Sequence, residues 1–568
     1  MKKIFLLYCM LVSCTWCFAQ TPKWIEKAKN AVFSIISYDA EGNILHSGNG
    51  FFINEGGEAL SDYAVFEGAQ KAVVITPDGN KQEVSTIIGA NEMYDIVHFK
   101  VKLNINPKKL VSLPVYAEKA AENTKIYLLP YSTQKDRSFT SGQIKQIDPL
   151  NTDYAYYTLN LALQEKMVSC PIVNEEGAVI GLAQKSSGKD TLSICYAVDA
   201  RFAQSLSMNA LSFSNPSLQK IGIKKELPAN EEEALTYLYM ASSLTTPEKY
   251  MEMLDDFINK FPNNMDGYFR RATQHLYTSQ TDESMALVEE DLDKGLSCAE
   301  KKDEAYFNRA KTIYTYVQTG VEKTYKGWSY DTAINEINKA IKITDQPVYT
   351  QLLAELQYAK GDYAASLASY EIVNRSEIAS TSTLYNILKV SEALEKPVDE
   401  LLVLADSCIA KFTPPYTSVA APFLLERAQL RMQKGLGRQA FLDYNEYEKA
   451  VNGQVNDLFF YYRSQAALLG RQYQNAINDI DRAITMNPNA TDYLIQSALI
   501  NLRVARNEDA IKNVQDVLAK DANNAEAYRL LGLAHLQLKH QKEACEFLQK
   551  AKDLGDEQAG SLLQKYCK

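Results

Sequence analysis

The chain has 568 residues, 46% of them hydrophobic and 23% charged, with a formal net charge of −10. That length calls for at least two cores, and the composition excludes both a disordered chain and a polytopic membrane protein. No basic run interleaved with aromatics appears, which argues against a nucleic-acid surface, and no stretch after the N-terminus reaches the roughly 18 apolar residues of a membrane helix.

Met1-Lys2-Lys3 followed by Ile4 to Val12 reads as the charged and apolar regions of an export signal, with Cys17-Phe18-Ala19 as a cleavage site before Gln20. Residues 1–19 are expected to be removed, and losing Lys2 and Lys3 moves the net charge from −10 to −12. Leu11-Val12-Ser13-Cys14 resembles a bacterial lipobox and offers the alternative of a lipid anchor at Cys14. The apolar Trp16-Cys17-Phe18 opposes it, because the tether after a lipid anchor is usually polar. Either way the expected address is outside the cytoplasm, in the periplasm or at the cell surface.

From Trp24 to about Phe213 the pattern is short β-rich runs broken by turn signals: Ala31 to Ser37, Gly50 to Ile53, Lys71 to Thr76, Ile96 to Val101, Lys125 to Leu129, Pro171 to Val173, Val179 to Leu182 and Ser193 to Val198. Such spacing predicts an all-β sandwich or barrel. Gly48-Asn49-Gly50-Phe51-Phe52-Ile53 with Ala59 to Ala69, Asp95 to Val101, Val168 to Asn174 with Val179-Ile180-Gly181, and Cys195 to Val198 follow one another in the order and spacing of a known family. Residues 24–213 resemble the secreted trypsin-like serine proteases, including the bacterial high-temperature-requirement kind, which implies a double β-barrel.

The resemblance does not carry the chemistry with it. Triad catalysis needs a hydroxyl nucleophile, an imidazole and an orienting carboxylate. At the matched positions stand Val168 for the serine, Ala64 for the histidine and Asp95 for the carboxylate. Lys166 replaces the oxyanion-hole glycine, and Ser169 and Cys170 replace the two glycines after the nucleophile. The expectation is a non-catalytic domain. The enzymatic alternative is a divergent endopeptidase using Ser169 or Cys170, although the domain's histidines, His46 and His98, match no base position. A third reading is a barrel that binds peptides without cutting them.

Six cysteines follow residue 19, too few for a disulfide scaffold in a chain of this length. A Cys170–Cys195 disulfide across the former active site is one use for that pair. Cys545 falls in the register of Ile477 and Ile511, so packing is expected there, with pairing to Cys567 as the alternative. No cysteine or histidine spacing suits a metal, and no cofactor is expected.

Residues 214–231, with Pro216, Pro228 and several lysines, read as a linker. Beyond it the hydrophobic period is 3.6. Phe460, Leu494 and Tyr528 repeat at a spacing of 34, as do Ala476, Ala510 and Ala544, and Ile480, Val514 and Leu548. The four-then-three spacing of Ala476, Ile480, Ala483 recurs at Ala440, Tyr444, Tyr447; at Ser366, Tyr370, Val373; at Ala333, Ile337, Ala340; and at Tyr250, Leu254, Phe257. This resembles the tetratricopeptide repeat, implying about nine helix pairs over 232–568 with an insertion from Thr319 to Tyr330, a weaker match from Thr381 to Pro415, and a capping helix from Asp556 to Tyr566. In that family the first helix of each pair lines a protein-binding groove. Projected on the grid, the rows are Tyr461, Ile495, Arg529 and Gln465, Leu499, Leu533. The combined expectation is an exported scaffold whose groove holds a protein or peptide partner.

Overall fold

The structure, a computed structural model, describes residues 22–104, 106–133, 139–185, 194–320 and 324–567. The export signal and Cys14 lie outside them. The chain divides between Ala299 and Glu300 into two compact units.

The first unit opens with two closed antiparallel barrels of six strands each. Strands β1 (Val32–Tyr38), β2 (Ile44–Phe52), β3 (Glu58–Ser61), β4 (Lys71–Ile75), β5 (Lys81–Asn91) and β6 (Ile96–Val101) close in the order β1-β2-β3-β6-β5-β4. Their inward residues meet as a ring cluster, with Phe33 edge-on to Phe52 at 4.7 Å and Phe66 against Phe99 at 4.9 Å. Gly50 is required by this packing: a Cβ there would stand 2.6 Å from the Phe33 ring and 2.7 Å from the Leu60 carbonyl. Strands β7 (Lys125–Leu128), β8 (Thr140–Pro149), β9 (Ala155–Asn160), β10 (Pro171–Val173), β11 (Val179–Gln184) and β12 (Cys195–Asp199) form the second barrel, β10-β11-β12-β9-β8-β7, around Ile126, Ile144, Tyr157, Leu159 and Leu182.

The expected linker is part of the first core. Ile221, Ile223 and Leu227 are buried, Gly222 donates to the Ala69 carbonyl at 2.7 Å, and residues 224 and 226 bond to both sides of Ile87 on β5 at 2.8 Å. The stretch is a strand-like strap laid on the barrel. Helices Glu231–Ala241 and Pro247–Lys260 continue that core through Ala234, Tyr237, Leu238, Leu254 and Phe257. Two further helices, Met265–Thr278 and Asp282–Cys298, complete the unit.

The second unit is a succession of helix pairs: 302–318 with 330–343, 347–360 with 363–373, 381–393 with 398–409, 421–433 with 437–450, 457–469 with 473–486, 491–503 with 507–520, and 525–537 with 541–553, closed by 557–566. The three registers of spacing 34 are all buried, and Ala476 and Ala544 have no exposed surface. Small residues there let the helices approach. The insertion before Tyr330 is not a free loop: Trp328 packs edge-on to Tyr316 at 5.5 Å, and the Tyr316 hydroxyl accepts the Tyr325 N–H at 2.9 Å. The segment 381–409, a weak match in sequence, nevertheless forms a pair like the others. Cys545 is bonded to Cys567, so packing alone was the wrong expectation.

One polar device recurs. Arg271, Arg427 and Arg463 each leave the first helix of a pair and clasp an aspartate on the second helix with both Nε and Nη2, at 2.9 and 2.7 Å for Asp291, 3.1 and 2.7 Å for Asp443, and 2.9 and 2.7 Å for Asp479. The remaining Nη1 reaches the previous pair: Asp255 at 2.7 Å, Asp406 at 2.8 Å and Glu448 at 2.5 Å respectively. The Arg463–Asp479 pair is the most enclosed, each side chain being 6% exposed. Arg463→Met should destabilise the array by about 3 kcal/mol in urea unfolding, because Asp479 is left as an unpaired buried charge, and adding Asp479→Leu should recover most of the loss. Equal losses in the single and double variants would show that the stranded Asp479 charge is not the source of the destabilisation.

Candidate functional site

The cleft between the barrels is built from the ends of β2, β3 and β6 on one side and the turn before β10 on the other. Ser61, ending β3, donates from Oγ to the Asn49 carbonyl at 2.6 Å and to Asp62 Oδ1 at 3.0 Å. The chain then winds through a single 3-10 turn, Tyr63–Val65. Asp95, leading into β6, takes the left-handed backbone at φ +50°, which its short polar side chain tolerates. Its Oδ1 accepts the Ala64 N–H at 2.8 Å, and the Tyr63 N–H bonds to the same carboxylate. Burial raises the Asp95 carboxyl, and the two N–H bonds oppose that rise. Asp95 thus closes the turn that carries Ala64, whose methyl is exposed where the resemblance places an imidazole.

Across the cleft, Glu165–Met167 form another 3-10 turn. Asn49 Nδ2 reaches over from β2 and donates to the carbonyls of Lys166 at 3.0 Å and Val168 at 2.9 Å. An oxyanion site needs N–H donors converging on a developing charge. Here the segment turns carbonyl acceptors toward β2 instead. Ser169 keeps the left-handed conformation of a glycine position, φ +62°, with its N–H on the Ala183 carbonyl at 2.8 Å and its hydroxyl on the Asp62 carboxyl.

Ser169 is 2% exposed and Cys170 not at all. Burial pushes the Cys170 thiol up to about 12, with the Asp62 charge adding to the effect, and the Cys195 thiol also to about 12. Both remain free thiols, so the Cys170–Cys195 disulfide does not form. Neither histidine stands near. His46 is exposed on β2, and His98 is buried with Nδ1 3.1 Å from the Leu206 carbonyl and Nε2 3.3 Å from the Glu58 carboxylate.

Asp62 was not singled out in the sequence. Its only signal there is an acid two residues before the base position. Tyr196, on β12, stacks on Tyr156 at 5.9 Å, and the Tyr156 hydroxyl donates to Gln184 Oε1 at 2.8 Å. Among the described residues no group of His, Cys, Asp and Glu is arranged to hold a metal.

In the helical array the projected groove rows divide. Tyr461, Gln465, Leu499 and Leu533 are partly buried, and Tyr461 packs on Tyr493 of the next pair at 5.0 Å. Ile495 and Arg529 are buried, and Arg529 is held by Glu526 at 2.7 Å and Asp556 at 2.8 Å. Leu458, Tyr462 and Leu469, spaced to share one face of helix 457–469, are 44%, 43% and 46% exposed. The grid did not select them.

The Asp62 carboxyl is held above the usual range, chiefly by desolvation and then by the Asp95 charge, against the Ser169 and Ser61 hydrogen bonds. A carboxyl raised in the folded state binds its proton more tightly folded than unfolded. Its ionisation therefore removes stability as pH rises from about 4 through the folded value. Asp62→Asn should raise the denaturation midpoint of the barrel unit near pH 7 and change it little near pH 4. A lowered midpoint at neutral pH would show that the carboxylate is net stabilising.

Residues 48–182, which include every cleft position from Asn49 to Cys170, match the family model of the trypsin-like peptidase domain. Among solved structures, the HtrA-type protease AlgW with tripeptide is similar at 16% identity and a TM-score of 0.27, over 32% of this chain and 60% of that chain. The chain thus spans less than two thirds of that protease. A trypsin-like peptidase domain of two six-stranded barrels, followed by an array of paired helices, is what this chain contains.

Proposed function

We propose that the chain is an exported, non-cleaving interaction protein in which a degenerate trypsin-like domain precedes a tetratricopeptide-type array that binds a protein or peptide partner. The observation that carries this reading is the commitment of each catalytic position to another task. Asp95 is spent on the Ala64 turn, and the Lys166 and Val168 carbonyls are held by Asn49. Ala64 offers no base, and Ser169 and Cys170 are enclosed. The buried registers of spacing 34 support the repeat type. The Cys545–Cys567 disulfide supports an oxidising compartment and hence export.

The Ser169–Asp62 hydrogen bond favours the alternative of a divergent peptidase with a carboxylate as base. Ser169's burial and the high Cys170 thiol weigh against it. Peptide binding without cleavage, along β12 beside Tyr196, remains compatible with the partner-binding reading.

The purified protein should leave casein and acyl-peptide substrates intact, and serine-directed reagents should not label it. Cleavage abolished by Ser169→Ala would reverse the assignment. For the array, Leu458→Asp with Tyr462→Asp should abolish partner capture in envelope extracts without moving the melting temperature, because both side chains face solvent. Unimpaired capture by that variant would remove this helix face from the partner site.

A further inference from the structure

A cavity of about 610 Å³, inside the range of small-molecule sites, lies away from the cleft, between the strap and helices 231–241 and 247–260. Phe213, Leu218, Ile223, Leu227, Tyr237 and Met253 give it apolar walls, and the Phe213 and Tyr237 rings meet edge-on at 5.4 Å. The strap alternates, so residues 221, 223, 225 and 227 share its inward face. Three of them are Ile221, Ile223 and Leu227, all buried. The fourth is Lys225. A lysine at an inward strand position, in an apolar cavity, is costly unless something offsets its charge.

Among the described residues no carboxylate does so. The Lys225 ammonium donates to the Ile221 carbonyl and has no carboxylate partner. Lys249, an exposed residue lining the same cavity, has no ion pair among the described residues either. Of the two acids on the wall, Asp256 is taken by Lys224 at 2.5 Å, and Glu252 is exposed, with no ion pair to Lys225 or Lys249. Burial, and then the Lys249 charge, lower the Lys225 amine to about 8. Tyr237, raised to about 12 by burial, titrates far above that.

We propose that this cavity is a binding site for a small amphipathic carboxylate, its apolar tail between Phe213, Leu227 and Met253 and its anionic head between Lys225 and Lys249. The head supplies the missing counter-charge and the walls take the tail, so neither a bare anion nor an uncharged chain satisfies the site. Because a bound anion favours the charged amine, binding takes up a proton once the free Lys225 has begun to lose its own. Affinity should be full below about pH 8 and fall as pH rises from there.

The test is calorimetric titration of the whole chain with decanoate, with decanol as the uncharged tail and inorganic phosphate as the tailless anion. Decanoate should bind one to one, and the two controls at least about tenfold more weakly. Lys225→Met should weaken decanoate about tenfold and abolish the fall in affinity above about pH 8, with melting checked in parallel. Lys249→Met, at an exposed position, should weaken it several-fold with no effect on folding. Should Lys225→Met fail to fold, the Lys249→Met loss and the wild-type pH profile still decide. Decanol binding as well as decanoate, phosphate binding as well as decanoate, or an affinity indifferent to both lysine substitutions would each overturn the proposal.

Discussion

A guanidinium placed inside a helical array must find carboxylates on every side from which water is excluded, and that requirement organises the stacking here. Arg271, Arg427 and Arg463 take both oxygens of an aspartate on their own pair's second helix and a further acid on the second helix of the pair before. A lone helix pair satisfies only half of this arrangement. The planar fork fits a carboxylate with two parallel bonds, which a lysine does not reproduce, so the contact fixes the angle between helices as well as their proximity. In the pair 525–537 with 541–553 the arrangement differs. Arg529 instead takes Asp556, whose other oxygen caps the last helix at Gln558 and Ala559, and the Cys545–Cys567 bond holds that cap covalently.

The barrel side shows which parts of a catalytic scaffold serve the fold. Asp95 satisfies two N–H groups of a tight turn and leaves that turn unsatisfied if lost. Gly50 is fixed by the Phe33 ring beneath it. Ser169 holds a left-handed backbone that a glycine would occupy without strain, anchored by Ala183 on one side and Asp62 on the other. At each of these positions a backbone or packing requirement accounts for the residue present. Ala64, by contrast, is exposed and is held through its backbone N–H alone.

Much of this was legible in the sequence. Aliphatic and alanine positions recur with a period because only inward faces need them, so the registers through Phe460, Ala476 and Ile480 located the array, and eight strands could be read from β-rich runs. Four strands escaped. β3 is short, and β5, β8 and β9 carry polar residues on faces that look outward, such as Lys81 and Glu83 or Gln143 and Lys145, while β5 also buries the polar Gln82, so they resemble loops. The arginine clasps were invisible for a related reason: a charged residue in sequence reads as surface, and its partner lies across a turn on another helix. Helix 491–503 is buried nearly all round, from Tyr493 to Ala498, which the groove rows could not anticipate, since periodicity names a face without naming its neighbour. Asp62 carried no signal beyond its proximity to the base position.

The strap shows most plainly how composition misleads. Prolines and lysines between Asn215 and Glu231 suggest a free connection, yet a period of two runs beneath them, and the buried Ile221, Ile223 and Leu227 bind the strap to β5. Because the same core continues into Tyr237, Leu254 and Phe257, the first helices stabilise the barrel and belong with it, and the division of the chain falls after Ala299 instead. That continuity also explains how a lysine reaches an inward position. Residue 225 takes its direction from the strand pairing at Ile87, and the covering helices leave room around it instead of turning it out to water. A backbone pinned on both sides cannot relieve an unfavourable side chain by twisting, so the charge at Lys225 is a cost imposed by the fold. An anion entering beside Lys249 is the means by which such a cost is offset.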